Sequence, residues 1–220
     1  MSGWMILVTG DAWDLEALEA DFAAGDPRTF VDRDDRFIES SEVQRITDEA
    51  AAEKRARELV TMINGAMLAQ HGNEFEPIQF GGLVRFNAQG GRDYHDRPTV
   101  EVKMRVRGNA GHRPSSAPVW VGKRTDPAVA TVLRILGRGE LDWYDMYKIY
   151  ETIKRDAGDA QVKQWAPRAE LFRHTANNAG ALGDEARHPE LGWKAPKNPM
   201  TLEDARALIQ LLAAQWLPTK

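Results

Sequence analysis

The chain contains no cysteine. That single absence excludes disulfides, thiolate metal sites and cysteine nucleophiles, and it suits a reducing cytoplasm. No apolar run approaches the roughly 20 residues that a membrane helix needs. The longest near the start, Trp4-Met5-Ile6-Leu7-Val8, is of strand length. It carries no basic lead-in and no small-residue cleavage pattern, so neither a secretory leader nor a membrane partner is expected. G-x-G-x-x-G, a Walker lysine loop, H-E-x-x-H and G-x-S-x-G are also missing, which removes the common nucleotide-dependent, zinc-dependent and serine-nucleophile enzymes. His71, His95 and His112 are scattered without zinc spacing. Asp32-Arg33-Asp34-Asp35 lacks the glycine turn and the distal glutamate of a calcium loop. No cofactor and no metal is expected.

What is present is enough for a folded core. The 220 residues are 42% hydrophobic, a length that allows one or two domains. The net charge of -4 conceals a gradient. Residues 1–50 hold 13 acidic against 4 basic side chains, whereas residues 85–124 hold 9 basic against 3 acidic. The basic middle, with Arg105 and Arg107 at its centre, reads either as a phosphate footprint or as the counterpart of the acidic segment. An overall pI of 5.8 favours the second.

Two regimes follow along the chain. Residues 1–122 alternate strand and helix signals, with strands expected at Met5–Val8, Arg36–Ser40, Ile78–Asn87 and Thr99–Arg107, and a short one at Val119–Val121. Asp14 is the expected cap of a short helix carrying Leu15, Leu18 and Phe22. A longer helix is expected from Thr47 to Gln70, stopped by Gly72-Asn73. Beyond Asp126-Pro127, a cap followed by proline at the first helical position, the pattern turns wholly helical. Helices are expected at 128–136, 141–157 and 161–175, the last limited or kinked by Pro167, and a fourth opens at Thr201. Trp143, Tyr144, Tyr147 and Tyr150 read as core rather than as a base-stacking cluster. The description is α+β: a mostly antiparallel sheet with helices in a domain spanning 1–122, and a four-helix domain spanning 123–220 packed against it.

The densest polar stretch runs from Leu171 to His188. It holds Asn177, Asn178, Asp184, Arg187 and His188 in a connection between helices, more hydrogen-bonding side chains than a simple linker needs. They either lock the loop through backbone bonds or bind a ligand. Arg168-Ala-Glu-Leu-Phe-Arg-His174 fits an Arg-x(4–6)-His spacing. On these residues the segment from about 127 to 217 resembles the HEPN superfamily of helical RNA-cutting and RNA-binding domains. The resemblance implies a metal-free ribonuclease of bacterial stress or phage defence, possessing RNA as partner and a homodimer as the working form. His174 would move the proton and Arg168 would stabilise phosphate charge, with Arg187 and His188 as the alternative pair. Ala169 departs from the polar residue usual after the family's arginine. The wider layout is similar to bacterial proteins to which no activity attaches. The competing reading is a non-enzymatic binding or adaptor protein whose Asn/Arg/His loop is structural.

Glu101-Val102-Lys103 offers half of a PD-(D/E)xK nuclease pattern, but the second acid it requires lies in the connection, at Asp93 or Asp96. An ordinary exposed strand face is the better reading.

Overall fold

The computed structural model describes residues 3–87, 91–95, 115–186 and 194–220. Five strands, β1 (Met5–Thr9), β2 (Arg28–Asp32), β3 (Asp35–Glu39), β4 (Gln79–Phe86) and β5 (Arg92–His95), form one antiparallel sheet in the order β2-β3-β1-β4-β5. Between them lie α1 (Ala12–Asp21), α2 (Ser41–Gln44) and α3 (Glu49–His71). The run β1-α1-β2-β3-α3-β4 therefore has the connectivity of the split βαβ plan, extended by β5. Helices α4 (Ala117–Gly122), α5 (Pro127–Leu136), α6 (Trp143–Ala157), α7 (Asp159–Trp165), α8 (Ala169–Ala176), α9 (Ala179–Leu182) and α10 (Leu202–Trp216) complete the described elements. The fold class is α+β.

Strand alternation assigns the two faces of the sheet. Ile6 pairs with Ile38 and Leu83, and all three are buried toward the helices. Leu7 pairs with Phe37 and belongs with Val84 to a smaller cluster on the other face, edged by Phe30, Phe86 and Tyr94. Arg92 lies across that cluster, 5.3 Å from the Phe37 ring, and its guanidinium reaches Asp35 at 2.5 Å and also Asp32. The acidic run 32–35 is thus a hairpin turn, with Arg33 at a φ of 55°, and its carboxylates serve an arginine about sixty residues away.

Side-chain caps mark the long helices. Asp48 accepts from Ala51 N–H at 2.7 Å, Asp126 from Ala128 N–H at 2.8 Å, and Thr201 from Asp204 N–H at 3.1 Å. Three expectations need correction. The cap of α1 is Asp11, which accepts from Trp13 N–H at 3.0 Å, while Asp14 sits buried in the first turn. Val119–Val121 is helix, not strand. Ala117, Trp120 and Val121 are buried at i, i+3 and i+4 while Val119 is exposed, and that period outweighs the strand preference of two valines. The segment 161–175 is two helices, α7 and α8, because the chain turns at Ala166-Pro167-Arg168, where proline cannot continue the first.

The strands β2 and β5 and the single turns α2 and α9 are additions to the expected elements, and Asp93, expected in a connection, lies within β5. The expected strand at Thr99–Arg107, with Glu101, Lys103, Arg105 and Arg107, lies outside the described residues.

One cluster of buried side chains runs from Trp4 to Leu217 across the residue-122 boundary. Its tightest seam is α3 against α5. A Cβ on Gly65 would stand 2.0 Å from the Leu133 carbonyl oxygen, and one on Gly137 would stand 1.7 Å from that of Thr61. Only glycine lets these backbones touch. No helix among the described residues is long and apolar enough to cross a membrane.

Candidate functional site

Helix α8, packed on α6, together with the turn α9 and the 3-10 turn Gly183–Glu185 that follow it, carries the described part of the sequence-predicted site. Trp143, Tyr147 and Tyr150 on α6 are buried, and Phe172 of α8 lies among their rings, its centroid 5.6 Å from Tyr150 and 6.0 Å from Trp143. Tyr147 and Phe172 stack nearly parallel at 6.2 Å. This aromatic block orients α8 on α6.

Arg168 stands at the amino end of α8 and turns outward to Asp204 of α10, at 3.2 Å. His174 is half-buried in the last turn of the same helix. Six residues along an α-helix amount to about 9 Å of rise and about 120° of rotation. The two side chains therefore leave the helix in different directions.

Asn177 follows directly and closes α8. Its amide Nδ2 donates to the Arg173 carbonyl at 2.9 Å and to the Tyr147 hydroxyl at 3.1 Å, which ties the helix end back to α6. Thr175, fully buried, accepts from Met200 N–H at 3.1 Å and anchors the start of the last helix. Asn178 is buried at the start of α9, and Asp184 is exposed in the 3-10 turn Gly183–Glu185. Arg187 and His188 lie outside the described residues. No group of three His, Asp or Glu among the described residues is placed to hold a metal ion.

The clefts lie elsewhere on α6. The larger, about 600 Å³, opens between α5 and α6 and is floored by Ala128, Thr131 and Tyr147. Tyr144, Lys148 and Arg155 line it at i, i+4 and i+11, one face of the helix. Tyr144 is 63% exposed, so it parts company with the three aromatic neighbours that form core. Lys148 and Arg155 are exposed and make no ion pair among the described residues. Arg36 on β3 and Arg55 on α3, by contrast, are held by carboxylates, those of Glu19 and Glu42.

A smaller cleft, about 220 Å³, lies where α6, α7 and α8 meet. The sequence assigns this cleft no role: Tyr150 reads there as core, and Lys154, Lys163 and Arg173 come together only through packing.

No known family, curated protein or solved structure matches the chain.

Proposed function

We propose that the chain is a non-enzymatic RNA-binding protein whose α5–α6 groove takes an unpaired strand. The observation that carries this is the pairing, on one face of α6, of an exposed aromatic ring with two exposed cations that make no ion pair among the described residues, in a cleft that Glu151 and Asp156 also line. Single-stranded nucleic acid is held by that combination, bases stacked on rings and phosphates met by lysine and arginine. Binding rather than cutting is supported by Arg168, engaged with Asp204 and turned away from His174. It is supported also by the Asn177 amide Nδ2 and the Thr175 hydroxyl, both spent on helix ends.

The test is fluorescence anisotropy of a labelled oligoribonucleotide across a salt series. Tyr144→Ala is expected to weaken binding by about 1–3 kcal/mol, the usual worth of one stacked base. The double variant Lys148→Gln/Arg155→Gln is expected to flatten the slope of log K against log salt by about 1.4, two phosphate contacts' worth. Variants that bind like the parent would overturn the reading. RNA cleavage that persists in chelator and disappears in His174→Ala would restore the ribonuclease.

A further inference from the structure

We infer that the smaller cleft, where α6, α7 and α8 meet, is a separate binding site for a single phosphate group. Lys154, Lys163 and Arg173 converge on about 220 Å³, with the buried Tyr150 beneath them and the carboxylates of Asp159 and Glu170 at the rim. Lys154 pairs with Asp159 at 2.9 Å and Arg173 with Glu170 at 2.5 Å. Three cations face two anions, and the surplus is Lys163, exposed and without a partner among the described residues.

The layering of charge decides what the cleft suits. The two paired cations sit inward of their carboxylates, with Lys154 36% and Arg173 29% exposed, while Asp159 and Glu170 are 63% and 60% exposed. Here the carboxylates stand at the mouth, where rotation about their side-chain bonds releases them into water. A tetrahedral dianion entering the void meets the arginine fork and two ammonium groups, and each phosphate oxygen finds a donor. A carboxylate ligand brings one charge and one plane, and leaves a cation unmet. With those carboxylates in place, the Lys154 ammonium and the Arg173 guanidinium are held more firmly protonated than usual, chiefly by hydrogen bonds to Asp159 and Glu170 respectively.

The ligand is a phosphate dianion, either free or carried as a phosphomonoester, and the site does not depend on the RNA groove. The experiment is titration of the ¹⁵N-labelled full chain with inorganic phosphate and, separately, with adenosine 5′-monophosphate, at constant ionic strength. Saturable shifts are expected at Tyr150, Lys154, Val162 and Ala169. Lys163→Gln, which removes an exposed side chain and so leaves folding intact, is expected to weaken both ligands about tenfold. Lys54→Gln removes the same charge from an exposed position on α3 outside the cleft, and is expected to change nothing. Equal affinity for both ligands identifies free phosphate, and tighter binding of the monophosphate identifies a phosphomonoester. No saturable shift, or shifts that Lys163→Gln leaves as they were, would sink the proposal. Phosphate binding with no oligoribonucleotide binding would discard the groove and keep this site, and the reverse result would discard this site alone.

Discussion

At the scale of single residues, the side chains that matter most to the fold are polar ones with a backbone task. Asn64, buried within α3, accepts from Ile78 N–H at 2.9 Å and donates to the Ile78 carbonyl at 2.8 Å. It thus pairs with that residue as a neighbouring strand would, just where the chain enters β4. Removing it strands two buried backbone groups, each worth about 1–3 kcal/mol. Asn64→Ala is therefore expected to be among the more destabilising substitutions in the molecule, measured as a lowered urea midpoint. A change of less than about 0.5 kcal/mol, typical of surface sites, would contradict the role. Asn177 has the same character at the end of α8. Its residue type, a short amide that can bond to nearby backbone, was visible in the sequence. Its acceptors were not, since Tyr147 lies thirty residues back.

At the scale of elements, the seam between α3 and α5 turns the ordinary glycine rule around. An alanine in place of glycine in an open helix is worth up to about 1 kcal/mol of stability. At Gly65 the added methyl would meet the Leu133 backbone at 2.0 Å, so the helices must part. Gly65→Ala is expected to cost about 1–3 kcal/mol or more, as overpacking does. Gly122, at the end of α4, is the matched contrast, because a Cβ there meets nothing within 4 Å. Gly122→Ala is expected to be neutral or slightly stabilising. Thermal melts of the two variants side by side check the pair, and equal shifts would contradict the close approach.

At the scale of the whole molecule, Lys220 joins three helices. Its ammonium lies 2.5 Å from Asp156 of α6 and 3.3 Å from Asp126, the cap of α5, and Asp156 also accepts from the indole of Trp216 at 2.8 Å. The Lys220 hydrogen bond holds Asp156 below the usual carboxylate range, and Asp156 in turn holds Lys220 above the usual amine range. For the carboxylate, the stabilisation is present above the unfolded value of about 3.9 and fades as pH falls through the lower folded one. For the amine it is present below about 10.4 and fades as pH rises past the higher folded value. The difference in melting temperature between the parent and Lys220→Gln is therefore expected to be flat from about pH 5 to 9 and to shrink below about pH 4. A difference that stays constant into strong acid would show that the clamp is not ionic.

What the sequence determined by itself is what local chemistry determines. The capped starts at Asp126 and Thr201, the glycine stop at Gly72 and the first strand were legible because a cap, a turn or a two-residue period acts within a few positions. The α+β class followed from their order. Tertiary structure decided the rest. It folded Val119–Val121 into a helix, because one face of that turn found a core to enter. It added β2, paired with β3 among the described residues through a short polar stretch whose alternation is weak until a neighbour shows which side is inward. It also made the two clefts on α6, since Tyr144 and Tyr147 differ by a single helical turn in sequence, yet only packing exposes one and buries the other. Periodicity says which residues share a face, and the identity of what lies opposite that face is a property of the folded chain alone.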